Sequence, residues 1–347
     1  MKQFFYLFVL TFLFSCKTKA PLEQPKDSTK NIEAFDFTIA FGSGDNQRKV
    51  NYLWDDIILD KPDVWIWGGD NIYCDTENMD VLKKCYTTQK SKPTYQNLMN
   101  TVEIQGVWDD HDYGVNDGGK EYPKKEASQD LFLDFLDVTD NDIRRERKGT
   151  YFSKLYKVEN HTIKIIFLDT RYFRTALTID TETRKRYKPN IYGEGTMLGE
   201  TQWKWLQNEL IDSEADFNVI VSSIQFFSNK HGFESWGTTM PHEIEKMENL
   251  ILSSQAKNVL ILSGDRHISE ISKKEIGDQN FPLVDFTSSG LTHSYSKFSG
   301  EENPYRVSKV VFQKSYGLVK FDFESKKVVM EMRGDNQELF EKYLMQY

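Results

Sequence analysis

The sequence predicts a layered α/β protein, and three observations carry that prediction. A β-prone alternation over residues 35–41, helical spacing of apolar residues over 50–59 and a short bulky strand over 64–67 together make a βαβ unit. Several strands stop abruptly at turns rich in Gly or Asp, the carboxyl edge at which open sheets bind ligands. The last third of the chain is mostly β, with runs at 282–287, 308–312, 317–323 and 327–333.

Taken in order, the chain opens with a targeting segment. Lys2 gives a positive start, residues 4–14 are almost unbroken apolar sequence too short to span a bilayer, and Leu13-Phe14-Ser15-Cys16 follows at once. Residues 17–31, rich in Lys, Thr, Pro, Glu and Asp, read as a flexible tether. The remainder, 32–347, is read as one domain. Its first strand ends in Gly42-Ser43-Gly44. The 64–67 strand is broken by Gly68-Gly69, which leaves Asp70 at its carboxyl end, with Tyr73 three residues on and able to turn back to the same point. Two hard oxygen donors then face one cavity. The alternative is an Asx turn in which Asp70 caps its own backbone and Tyr73 is packing. Cys74 and Cys85 either bridge across a short loop or stay as free buried thiols.

A short helix is expected over 95–100, and a strand over 102–108 runs into Asp109-Asp110-His111-Asp112. An amphipathic helix over 122–136 turns Leu131, Phe132, Phe135 and Leu136 inward. The basic run from Arg144 to Lys148 reads as a solvated face, or as one wall of an anionic entry path. A hairpin over 151–158 and 162–168, with His161 in its turn, leads to Asp169-Thr170-Arg171, and residues 175–195 are a polar, irregular lid. Helices at 200–211 and 243–252 flank a strand at 217–222; beyond them, the 258–262 strand ends in Ser263-Gly264-Asp265-Arg266-His267. Gln225 and His231 follow a strand and are candidates to reach the same edge, while His242 and His293 read as surface or supporting residues.

Bulk composition sets bounds. The 347 residues are 39% hydrophobic and 28% charged, ordinary for a globular chain with a sizeable core, and the 14% aromatic content fits either a thick core or a carbohydrate-binding face. A formal charge of -9 argues against a nucleic-acid partner held by its backbone charge. An anionic substrate needs metal ions or a focused arginine pocket.

Four strand ends therefore carry related chemistry: Asp70 with Tyr73, Asp109-Asp110-His111, Asp169-Thr170-Arg171 and Asp265-Arg266-His267. Acids gathered this closely repel one another unless cations are bound, so the pattern points to metal. Carboxylate and phenolate oxygens favour hard ions, and His267 suits iron or zinc. The motifs Gly-Asp-Asn-Ile-Tyr at 69–73, Trp-Asp-Asp-His-Asp-Tyr-Gly at 108–114, Leu-Asp-Thr-Arg at 168–171 and Ser-Gly-Asp-Arg-His at 263–267 resemble the PhoD-like, or alkaline phosphatase D, family, over roughly residues 35–295. More distantly they are similar to purple acid phosphatases and other metallophosphoesterases.

That resemblance implies a four-layer αββα sandwich, with hydrolysis of phosphate mono- or diesters by a metal-activated water. It also implies a mixed iron and calcium centre, other divalent metals being possible. On it, Asp70 is the bridging carboxylate and Tyr73 the phenolate ligand. Asp110 is a further metal ligand, with Asp109 as the alternative, and Asp265 and His267 complete the set. His111 faces the substrate and protonates the leaving group, and Arg171 and Arg266 clamp phosphate oxygens. The leader resembles a bacterial lipoprotein signal of residues 1–15, with Cys16 lipidated and the protein held on a membrane in the cell envelope; an ordinary secretory signal is the other reading. A monomer is expected.

One departure stands out. Family members carry a cysteine ligand after Gly-Ser in the first strand's loop, where this chain has Gly44. Asp45 is the expected substitute, and Cys74 a remoter one. Loss of this ligand also opens a second reading, a noncatalytic surface lipoprotein that keeps a metal- or polymer-binding cleft.

Overall fold

The computed structural model describes residue 1, residues 35–277 and residues 281–347. The leader, Cys16 and the tether lie outside the described residues. Residues Phe35–Tyr347 form one compact unit.

Strand β1 (Phe37–Gly42), helix α1 (Leu53–Leu59) and strand β2 (Val64–Gly68) form the expected βαβ unit, followed by α2 (Met79–Lys90), α3 (Pro93–Thr101) and β3 (Glu103–Val107). The short α4 (Asp110–Tyr113) and the longer α5 (Lys125–Phe135) precede the hairpin β4 (Phe152–Val158) and β5 (His161–Phe167). A two-stranded ribbon, β6 (Thr178–Ile179) and β7 (Tyr187–Lys188), stands within the segment expected to be irregular. Then come α6 (Gly199–Ile211), β8 (Phe217–Ser222), α7 (Trp236–Thr239), α8 (Pro241–Ser254), β9 (Val259–Ser263) and β10 (Ser269–Lys274). The chain closes with β11 (Leu283–Ser288), β12 (Tyr316–Asp322), β13 (Lys327–Arg333) and β14 (Leu339–Gln346).

Two six-stranded sheets result, ordered β14-β13-β12-β1-β2-β3 and β10-β11-β9-β8-β5-β4. Side-chain alternation explains why they stack as the middle of four layers. Along β2, Val64 and Ile66 enter the core between the sheets, whereas Trp65 and Trp67 join the cluster under α1, α2, α3 and α5. Along β8, Phe217, Val219 and Val221 face the other sheet, and Ile220 packs with Leu206 of α6 and Met247 of α8. A strand buried on both faces needs bulky residues at every position, which is why these runs are continuous and not alternating. The αββα sandwich is thus the observed fold.

Strands β1, β2 and β3 are parallel to one another, as are β5, β8, β9 and β11, so each sheet presents a set of carboxyl ends. An isolated parallel bridge from Ser43 to Ser289 ties the two sheets together there. Gly264 permits that approach: a Cβ on it would lie 2.4 Å from the Gly68 carbonyl oxygen and 2.7 Å from Ser43 Oγ. The donors of both sheets are thereby brought to one edge.

Some expectations need correction. Residues 308–312 form no strand, only a bridge from Val311 to Ser269, because Ser308 and Val311 patch the outer side of β10. The stretch between the cysteines is only in part a loop: after residues 75–78 it enters α2, capped by Asn78, whose side chain accepts from the backbone N–H groups of Asp80 and Val81. Leu133 joins the buried face of α5, and His161 opens β5, its ring stacked on Phe323.

Cys74 and Cys85 form a disulfide across 11 residues, joining the exit from Tyr73 to α2. Replacing both with alanine is expected to lower the unfolding free energy by about 3 kcal/mol, the loop-closure value for a ring of this size. Urea denaturation under non-reducing conditions reads this directly; an unchanged midpoint would mean the bridge does not constrain the unfolded chain.

Candidate metal centre and active site

The carboxyl edges enclose a cavity of ≈ 250 Å³ whose lining includes Asp70, Asp110, His111, Asp265, Arg266 and His267. Three of the four predicted strand ends therefore converge. Asp70, forced into φ 51° by the Gly-Gly break, accepts a hydrogen bond from Tyr73 Oη on Oδ2 at 2.8 Å, while its buried Oδ1 has no protein partner. Tyr73 Oη lies 3.1 Å from His267 Nε2, so carboxylate, phenol and imidazole meet at one point. Asp265 and His267 both have positive φ, 65° and 54°, a kinked backbone that turns two alternate side chains toward the same cavity.

The three acids of α4 and its cap diverge. Asp110 faces the cavity, its Oδ2 accepting from the Asp117 N–H at 2.7 Å, and ligand atoms of Asp70, Asp110 and His111 lie within 4.8 Å of one another. Asp109 points into the wall, where it accepts from Arg171 Nε at 2.6 Å and Ser223 Oγ at 2.7 Å. Asp112 accepts from the Asp109 N–H at 2.6 Å and from Asn71 Nδ2 at 2.6 Å, which locks the turn. Of the two candidates at 109 and 110, Asp110 is the one placed to ligate.

The electrostatics suit a bound cation. Burial, reinforced by Asp110, raises the Asp70 carboxyl well above its ordinary range. Burial and then Asp70 raise the Tyr73 phenol, and burial followed by Asp109 and Asp110 raises Asp265. Only Asp110 is held down, to about 2: burial opposes its charge, but Arg171, His111 and the Asp117 N–H outweigh it. A pocket whose burial and crowded acids penalise charge on three oxygen donors, and which leaves Asp70 Oδ1 without a protein partner, is one that hard cations would complete.

Two predicted site residues do not reach the cavity. Arg171 is fully buried, paired with Asp109 at 2.5 Å and Glu234 at 2.8 Å, so it braces the wall behind Asp110 and cannot clamp phosphate. Asp45 faces α2, where Oδ2 accepts from Gln89 Nε2 at 2.6 Å, so it does not replace the missing thiolate. Cys74 is committed to its disulfide. Gly44 has φ 76°, and a Cβ there would meet the Gly290 nitrogen at 3.2 Å. Gln225 bonds Glu270 and Thr287 and lies in the wall, and the Arg144–Lys148 run pairs locally with Asp142 and Asp134, away from the cavity.

Asp45 carries a separate consequence. Burial raises its carboxyl to about 7. A raised acid pKa contributes stability that is full below pH 4 and is lost as pH rises through about 7. Asp45→Asn, which keeps an acceptor for Gln89, should gain on the order of 2 kcal/mol over the native chain between pH 5 and pH 8. Thermal melts at the two pH values check it; a constant difference would mean that the carboxyl ionises freely.

Sequence reasoning missed several lining residues: Asn116, Asp117, Arg186, Tyr187, Phe233, Glu234 and Tyr295. It also missed Asp75, whose carboxylate lies 2.9 Å from His111 Nδ1, and the closeness of His293, whose ring centroid is 4.5 Å from that of His267. Asp75 sits two residues past Tyr73, and the basic triplet Arg184-Lys185-Arg186 was a visible signal in the irregular segment.

A four-layer sandwich with acid, phenol and imidazole donors gathered on one sheet edge defines a protein of the metallophosphoesterase type. Residues 39–332 match the model of the PhoD-like phosphatases, and the chain belongs to that family. Alkaline phosphatase D of Bacillus subtilis (strain 168) is 30% identical over 117 residues, which make up 31% of this chain and 20% of that protein. The aligned stretch thus spans about a fifth of the curated relative. Among solved structures, PhoD matches with a TM-score of 0.72 at 18% identity, over 89% of this chain and 69% of its own. A dimetal phosphatase from Danio rerio matches at 0.54 and 14% identity, over 90% and 100% of the two chains. GAP50, described as the anchor in the inner membrane complex of Plasmodium, also matches at 0.54, with 12% identity over 89% and 88%. At these identities the structural matches speak for the fold.

Proposed function

We propose that this protein is an exported, lipid-anchored phosphoester hydrolase that works with bound metal ions. The observation that carries the reading is the convergence of Asp70, Tyr73, Asp110, Asp265 and His267 on one cavity that also holds His111 and Arg266. Family membership supports the reaction class. The leader ending in Leu13-Phe14-Ser15-Cys16 supports export and lipidation of Cys16.

Tyr73, His267 and Asp70 would hold one ion, of the iron type by its phenol and imidazole donors. Asp70, Asp110 and Asp265 would hold harder ions such as calcium. When bound, such ions supply Lewis acidity, which lowers the pKa of water and offsets charge on phosphate oxygens. The protein's own residues do the rest. Arg266, oriented by Glu301 at 2.7 Å, binds a phosphate oxygen from the cavity side. His111, held by Asp75, presents its other nitrogen toward the departing alcohol. Asp109 and Arg171 fix the wall from which Asp110 projects.

The test is hydrolysis of p-nitrophenyl phosphate and bis-p-nitrophenyl phosphate by residues 32–347, purified without chelator and assayed for bound metal. Hydrolysis that chelation abolishes and metal restores is expected, and the preferred ester sets the substrate class. Gly44 and the turned-away Asp45 favour one alternative, a cleft that binds metal or polymer without turnover. Bound metal with no hydrolysis under any supplement would establish that alternative and overturn ours.

A further inference from the structure

We infer that the ribbon over residues 178–188 makes this site selective for phosphate esters whose alcohol half carries a second phosphate; the inference rests on the phosphoesterase reading above. The chain is strongly acidic overall, yet the ribbon's tip carries three consecutive cations, Arg184, Lys185 and Arg186, all exposed. The positions of Lys185 and Arg186 are set by packing. The Tyr187 N–H donates to the Gly232 carbonyl at 2.9 Å, and Tyr187 Oη donates to Asp117 Oδ2 at 2.6 Å. Arg186 pairs with the same carboxylate at 2.6 Å, and Arg186 and Tyr187 both line the cavity.

Lys185 is positioned by its stem. Its stem crosses Gly232 so closely that a Cβ there would lie 2.4, 2.5 and 2.6 Å from its Cβ, Cγ and Cδ. Its charge bears on His231 together with that of Arg266, so Lys185 and the cavity's own arginine act on one ring. Among the described residues Arg184 and Lys185 form no ion pair, whereas Lys188, at the ribbon's base, pairs with Glu182. A scissile phosphate seated against the acids, with Arg266, leaves the ribbon cations outward of it along the mouth. Two unpaired cations beside a guanidinium suit the doubly charged, many-oxygened end of a second phosphate. The 40% exposed Phe233, which also lines the mouth, leaves room there for the carbon skeleton between the two phosphates.

The experiment is competitive inhibition of p-nitrophenyl phosphate hydrolysis by glucose 6-phosphate and by glucose 1,6-bisphosphate, a pair that differs by one phosphate. The native protein should bind the bisphosphate about tenfold more tightly at low salt, with the preference shrinking as ionic strength rises. R184Q/K185Q should bring the ratio of inhibition constants close to one, while R184K/K185R should keep it. Equal inhibition by the two compounds in the native protein, or a preference indifferent to the glutamines or to salt, overturns this inference alone. Absence of hydrolysis of both p-nitrophenyl phosphate and bis-p-nitrophenyl phosphate overturns the phosphoesterase reading and this inference with it; where only the diester is cleaved, its hydrolysis is the reaction inhibited.

Discussion

Asp70→Asn is expected to strip the protein of most of its metal and to lower hydrolysis by at least about a thousandfold, since transition-state charge at phosphorus is then no longer offset. Asp70 is the donor on which the other groups depend. It receives the Tyr73 hydroxyl at 2.8 Å, keeps a second buried oxygen free, and stands nearest in charge to Asp110. An asparagine fits the same space and can still accept from Tyr73, so the loss would be of charge and not of shape. A second readout separates this from general damage. The Asp70 carboxyl is raised by burial and by Asp110, so in the metal-free protein its contribution to stability is present at low pH and lost as pH rises. Metal-free Asp70→Asn should therefore melt above the metal-free native protein at pH 8, while the metal-loaded native protein melts above both. A variant that lost activity yet melted below the metal-free native protein would mark Asp70 as a structural cap, as an Asx turn would.

Much of this site could be read from the chain because strand ends announce themselves. Gly68-Gly69 before Asp70, and Gly264 before Asp265, put a flexible break directly after an apolar run, and a carboxylate there has only the sheet edge to occupy. The two arginines show where such reading stops. Arg171 and Arg266 look alike in sequence, each within two residues of an aspartate that follows a strand. In the fold, Arg171 is enclosed by Asp109 and Glu234, whereas Arg266 reaches the cavity beside Tyr295 and Glu301. The difference comes from Glu234, a residue over sixty positions from Arg171, and no local pattern reports such a partner. Asp109 to Asp112 make the same point, since a single helical turn sends Asp109 and Asp110 to opposite sides of one wall. Asp45 was a reasonable chemical substitute for a thiolate one place away, but the left-handed Gly44 rotates the next side chain toward α2. The α2 helix itself was hidden by a polar sequence whose burial comes from Leu82, Tyr86 and Gln89 alone.

His111→Gln should lower kcat by on the order of a hundredfold to ten-thousandfold on alkyl phosphates and by much less on p-nitrophenyl phosphate, whose leaving group departs without a proton. Burial opposes charge on the His111 ring, but Asp70, Asp75 and Asp110 outweigh it and lift its pKa to about 11. In the metal-free protein the ring therefore favours its charged form. Cations held by Asp70 and Asp110 would cancel two of those three fields and bring the ring down toward the neutral range, where a proton can be given up as well as held. Asp75 stays, 2.9 Å from Nδ1, and fixes the proton to be donated on the opposite nitrogen. Asp75→Asn should then shift the alkaline limb of the kcat profile to lower pH and cost about tenfold at its optimum, a positioning effect smaller than loss of the ring. Metal content measured alongside distinguishes the roles, because His111→Gln should retain the ions that Asp70→Asn releases. Equal losses of kcat on alkyl and nitrophenyl esters would show that His111 supplies charge or ligation and no proton, and would remove it from the role of general acid.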